Sequence, residues 1–158
     1  MKEFDHEGLL LASFQGQLFE KSYELNCSTS IFIRRFKYSK VLMTLDRNDT
    51  SLLSLDVVET INALENQFGP FAYGTLKFSK SSLFWIGYVY RYISYTRCCK
   101  TRFVMQLFDY KLLNNLYYVY HTQDMEWVVK SLLNQIGESE DIFDNNLRLK
   151  EVILKLED

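Results

Sequence analysis

Apolar residues recur along this chain at the three- and four-residue steps of an α-helix, and almost nowhere at the two-residue step of a strand. From about Glu3 to Leu25, the residues Leu11, Phe14, Leu18 and Leu25 stand at helical intervals with polar residues between them. Ser28 or Ser30 can cap a second helix running to about Leu45, with Phe32, Phe36 and Met43 on one face, and the turn-rich DRNDTS from Asp46 to Ser51 closes it. Ser54 is placed to cap a third helix with Val57, Ile61, Leu64 and Phe68 on its apolar side, and Gly69-Pro70 stops it. A loop or short extended piece follows over residues 71–79. Serines 79, 81 and 82 then offer caps for a helix from Leu83 to about Thr96, whose apolar residues lie on more than one face. Such a helix belongs in the middle of a fold.

The remaining segments are shorter but of the same period. Phe103, Val104 and Leu107 predict a short helix from Thr101. Asp109 can cap another with Leu112, Leu113, Leu116 and Tyr120, and Asp124 caps one carrying Trp127, Val128, Leu132 and Gln135, which Gly137 ends. Beyond the polar ESEDIFDNN, Leu149, Val152, Ile153 and Leu156 form one apolar stripe, with Glu151 and Lys155 paired on the other side. The expected architecture is all-α: a bundle of six to eight helices around a central aromatic helix. Residues 1–137 form the helical domain; 138–158 form an acidic linker and a separable amphipathic helix.

Composition narrows the picture. The chain has 158 residues, 47% hydrophobic and 24% charged, the size of one domain able to bury a core without staples. A single proline and six glycines argue against a loop-rich β-sandwich. Twelve Phe, eleven Tyr and two Trp exceed what a small core needs, so some tyrosines are expected at a surface that another molecule covers. The net charge of −2 is uneven: residues 1–137 carry +2 and residues 138–158 carry −4. The acidic end can fold back on the body or face a basic partner. Cys27, Cys98 and Cys99 cannot all pair within the chain and read as small buried hydrophobes in a reducing cytoplasm. No hydrophobic leader opens the sequence, and the apolar run Leu83–Tyr95 is too short to span a bilayer and is interrupted by Arg91. A soluble cytoplasmic protein is expected, with no membrane association.

Candidate chemistry is sparse. The two histidines, His6 and His121, lack the upstream arginine of an Arg–His ribonuclease pair, and no His-Glu-x-x-His, zinc-ligand spacing, phosphate loop, dinucleotide pattern or nucleophile turn is present. No catalytic residue, metal or cofactor is expected, and the chain is not read as an enzyme. His121 sits in YHTQD at a corner between helices, where a backbone hydrogen bond or a partner contact suits it better than general-base catalysis. Arg91 has Gly87, Tyr88, Ser94 and Tyr95 as its helical neighbours, none of them an acid. It needs either an ion pair from another helix or a docking face shared with tyrosines, since a stranded buried charge is costly. RRFKYSK and YTRCCKTR interleave cations with aromatics, so Arg34, Arg35, Lys37 and Lys40 are the alternative nucleic-acid contacts, weighed against an ordinary solvated helix face.

Three segments, WIGYVYRY (Trp85 to Tyr92), LYYVYHTQD (Leu116 to Asp124) and STSIFIRRFKYSKVLMTLD (Ser28 to Asp46), cover about half the chain. Through them it resembles a family of small uncharacterised all-helical proteins of bacterial toxin–antitoxin operons, which often also encode an ADP-ribosyltransferase-like toxin. Ile93 departs from that pattern, where another aromatic is expected, and residues 138–158 lie outside it. The resemblance implies an antitoxin-like interaction protein in bacterial defence that neutralises a cognate toxin. Trp85, Tyr88, Arg91, Tyr92, Tyr120 and His121 match the family's motif positions. Taken with the tyrosine surplus, the partner-binding set is Tyr88, Arg91, Tyr92, Tyr95, Tyr120 and His121. Self-association, DNA binding as a regulator of its own operon, and nucleotide binding stand as alternatives.

Overall fold

The computed structural model describes residues 1–54 and 56–144, and among them it is all-helical. In chain order the α-helices are α1 (His6–Lys21), α2 (Thr29–Lys37), α3 (Lys40–Asp46), α4 (Val57–Phe68), α5 (Lys80–Thr96), α6 (Thr101–Leu107), α7 (Tyr110–Tyr120) and α8 (Met125–Ile136). Short 3-10 turns occupy Ser22–Glu24 and Thr50–Ser54. The expected helix around Leu149–Leu156 lies outside the described residues. No described helix is long and apolar enough to cross a membrane.

Most starts are set by side-chain caps that satisfy amides left free in the first turn. Asp5, Ser28, Ser39, Asp56, Ser79, Asp109 and Asp124 each accept from a backbone N–H two or three residues on. The cap of α4 is therefore Asp56, where the sequence pattern pointed to Ser54. The stop at Gly69 is as expected: its φ of 90° suits glycine, and its N–H donates to the Glu65 carbonyl at 2.7 Å.

The single helix expected from Ser28 to Leu45 is two. Ser39 breaks it, donating its hydroxyl to the Phe36 carbonyl at 2.8 Å and accepting from the Leu42 amide at 3.0 Å, so it ends α2 and opens α3 together. The break redirects α3. Phe32 and Phe36 stay in the core, packed edge-on against Phe19 with ring centroids 5.3 and 4.9 Å away, whereas Met43 turns outward, 58% exposed.

At the centre α1 and α5 run antiparallel in close contact. A Cβ on Gly87 would stand 2.7 Å from the Gln15 carbonyl oxygen, and one on Gly16 would meet the Phe84 ring at 2.9 Å. Glycine at those two crossings lets the backbones approach more closely than any side chain would permit. The other helices wrap this pair, so α5 is buried nearly all round, as its unfaced pattern predicted. Residues 69–79 form an extended strap. The Ser28 and Thr29 amides donate to the Tyr73 and Leu76 carbonyls at 3.1 and 2.9 Å, and Lys77 Nζ donates to the carbonyls of Tyr23 and Leu25.

The acidic segment does not hang free at its start. Phe143 is buried against the Phe103 ring, and Ile142 packs on the same core, so residues up to 144 belong to the body that was expected to end at Gly137.

Candidate functional site

Arg91 is the largest fully buried side chain. Its Nε and Nη2 donate to Gln15 Oε1 at 3.0 and 2.9 Å, and its Nη1 donates to the Leu45 carbonyl at 3.1 Å and to Asp46 Oδ1 at 3.0 Å. The same Asp46 oxygen accepts from the Thr101 amide and hydroxyl, and Gln15 Nε2 donates to the Gly87 carbonyl. Burial lowers the Arg91 pKa, and the Asp46 carboxylate opposes that shift. The guanidinium ties α1, α3, α5 and α6 together and is closed to any partner. Of its two readings from sequence, the internal ion pair is the one observed.

A second arginine holds the end of the described chain. Arg97 is 3% exposed in its side chain and donates to both carboxylate oxygens of Glu126 and both of Glu140 at 2.7 to 3.2 Å, and to Thr96 Oγ1. Tyr92 adds its hydroxyl to Glu126 at 2.6 Å. Burial works against the Arg97 charge, but the hydrogen bonds and charges of Glu140 and Glu126 more than offset it and raise its pKa. Burial likewise opposes the Glu126 charge, and the bonds from Arg97 and Tyr92 still leave its pKa lowered. The basic-body, acidic-end asymmetry of the sequence is here a specific clamp.

These two nodes take Arg91 and Tyr92 of the expected partner-binding set out of reach, and burial removes two more. Arg91, Tyr92, Tyr95 and Tyr120 are buried, and the Tyr95 hydroxyl is committed to Asp5 at 2.6 Å. They do not form a docking face. Tyr88 and His121 remain accessible, and the structure brings them together at one groove of about 610 Å³, lined by Glu20, Ser81, Phe84, Trp85, Tyr88, Tyr117, His121, Gln123 and Met125. Its walls are aromatic. Phe84 stacks on Tyr88 with centroids 6.2 Å apart, Trp85 meets Tyr117 edge-on at 5.9 Å, and Tyr117 stacks on His121 at 4.4 Å. Burial raises the Tyr88 pKa, so its phenol stays protonated at neutral pH. His121 Nδ1 lies 2.7 Å from the Tyr117 carbonyl and, since a carbonyl only accepts, donates to it. Beside the groove, Tyr118 packs on Tyr117 with ring centroids 5.5 Å apart and is 84% exposed.

Sequence reasoning passed over Phe84, Tyr117 and Tyr118. For Tyr117 and Tyr118 a signal was present: His121, just past the end of α7, follows them at the four- and three-residue offsets that make side chains neighbours on a helix. Arg91 lies in the core and does not line this groove with His121.

The four alternative nucleic-acid residues separate as well. Arg34 and Lys37 line a depression with Tyr38 and Tyr110, while Arg35 is taken up by the Gly69 and Pro70 carbonyls and the Phe71 ring. Lys40 is exposed in the first turn of α3. The helix expected to read DNA is broken at Tyr38–Ser39. Cys27 and Cys99 are buried as expected, Cys98 is exposed, and no group of His, Cys, Asp and Glu among the described residues could hold a metal ion. No protein-family model, curated protein or solved structure matches the chain.

Proposed function

We propose that this chain is a non-catalytic interaction protein of the antitoxin type, whose aromatic groove between α5, α7 and α8 takes an apolar or aromatic segment of a cognate toxin protein. One observation carries the reading: Phe84, Trp85, Tyr88, Tyr117 and His121 converge on one open groove and Tyr118 stands beside it, a density of large flat side chains that a helical core does not require. Aromatic rings anchor interfaces because they bury much area at small entropic cost. The toxin as partner rests on the resemblance through WIGYVYRY and LYYVYHTQD, and three of the residues matched there, Trp85, Tyr88 and His121, meet in the groove.

The test is co-expression with the product of the adjacent gene. The wild-type chain rescues growth and co-purifies with that product. Tyr118→Glu with Tyr88→Ala abolishes both while leaving the helical circular dichroism unchanged. Equal toxicity with and without the wild-type chain removes the reading, as does a double variant that still rescues.

A further inference from the structure

A second surface lies where α2, α3 and α6 meet. Two depressions of about 400 Å³ each share Lys37 as a common wall; Arg34 lines one, and Arg47, Lys100 and Arg102 line the other. Tyr38 stands between them, 53% exposed, with the Arg102 guanidinium over its ring at 4.7 Å and Lys37 Nζ at 5.7 Å. Arg102 is held in place by two hydrogen bonds to the Lys37 carbonyl at 3.3 Å.

This face gathers five cations. Lys21, Lys80, Arg91 and Arg97 are paired with carboxylates, whereas Lys2, Arg35, Lys40, Lys77, Lys111 and Lys130 form no salt bridge among the described residues but are not gathered around one recess. Among the described residues, none of the five cations around Tyr38 forms a salt bridge. Both acids that line the depressions are committed: Asp46 to Arg91 and Thr101, and Asp109 to the Lys111 amide as the cap of α7. A chain of net charge −2 thus concentrates unpaired positive charge on one face. The residues past 144 carry equal numbers of acids and bases and are no electrostatic match for it.

We propose that this face binds single-stranded nucleic acid, its phosphates held by Arg34, Lys37, Arg47, Lys100 and Arg102 and a base stacked at Tyr38. Unpaired cations along a recess with an aromatic platform between them are what a flexible strand requires. Two short helices with buried inner faces present hollows, not a ridge that could enter the major groove of a duplex. Nothing in this inference depends on the aromatic groove or its partner.

The test is fluorescence anisotropy of labelled dT20 and U20 with the full chain from 50 to 300 mM NaCl. Binding is expected at 50 mM salt, with log K falling against log salt at a slope of about −3, as four or five phosphate contacts to a single strand give. Lys37→Gln with Lys100→Gln reduces that slope by about 1.4. Tyr38→Ala weakens binding roughly tenfold, with the slope unchanged. The proposal is overturned by absence of binding at 50 mM salt, by a duplex of the same length binding as tightly as the single strand, by polyglutamate competing as well as unlabelled dT20, or by variants that bind like the wild type.

Discussion

Arg91 has no acid among its helical neighbours because its partners come from elsewhere, Gln15 lying 76 positions and Asp46 45 positions away in sequence. A periodicity argument can say that such a charge must be satisfied; it cannot say by whom. Removing one member of a buried pair leaves the other exposed to the full cost of desolvation, so Arg91→Met should destabilise the fold by about 3–5 kcal/mol, read as a lowered denaturant midpoint. Arg91→Lys should recover only part of this, since an ammonium has no planar fork to reach Gln15 and Asp46 together. Cys98 offers the opposite case. It sits at φ 51° just past α5, with its amide donating to the Tyr95 carbonyl and the Cys99 amide to the Ser94 carbonyl, a Schellman closure that favours glycine. Cys98→Gly should raise the thermal midpoint by about 2–4 °C, corresponding to about 1 kcal/mol of relieved strain.

Helix positions were legible in the sequence to the extent that caps and apolar stripes were. Asp109, Asp124, Gly69 and Gly137 mark ends where the pattern placed them. The division of α2 from α3 was not legible, because Ser39 is one more polar residue in a helical period and its effect lies in two hydrogen bonds that compete with the helix. The docking of residues 138–144 was equally hidden: ESED reads as a solvated linker until Arg97 is seen to emerge, buried, at the end of α5. The Arg97–Glu126 pair beside that segment is pH-dependent in a defined direction. Glu126 has its pKa lowered from the ordinary 4.5, so its contribution is fully present above that value and is lost as the pH falls through the lower folded one. The wild type should therefore exceed Glu126→Gln in thermal midpoint at pH 7, with the difference closing below about pH 4. Arg97→Met should loosen residues 138–144, seen as faster amide exchange there than in α5, because the apolar packing of Phe143 and Ile142 then holds them without the Glu140 ion pair.

At the scale of the molecule, part of the aromatic surplus lies at the surface, as Tyr38, Tyr73 and Tyr118, while Tyr92, Tyr95 and Tyr120, which were expected there, are buried. α5 is apolar all round, so nothing in its own sequence separates Tyr90, Tyr92 and Tyr95, which are buried, from Tyr88, which is half-buried at the groove. α7 packs less and leaves Tyr118 and Val119 outside, and the groove becomes visible only when α5, α7 and α8 are placed together. The basic face likewise needs α2, α3 and α6 in position, since Arg34 and Arg102 are far apart in the chain. These two surfaces share no lining residue: the groove uses Phe84, Tyr88 and His121, and the basic face uses Lys37, Tyr38 and Arg102. Substitutions more than about 7–10 Å apart with no common partner usually act additively, so the two binding activities should be separable. Tyr118→Glu with Tyr88→Ala should abolish toxin co-purification while leaving the dT20 affinity and its salt slope within about twofold of wild type. Lys37→Gln with Lys100→Gln should do the reverse, and the combined variant should lose both. Loss of oligonucleotide binding in the groove variant would show that the two surfaces are coupled and that this division of the molecule is wrong.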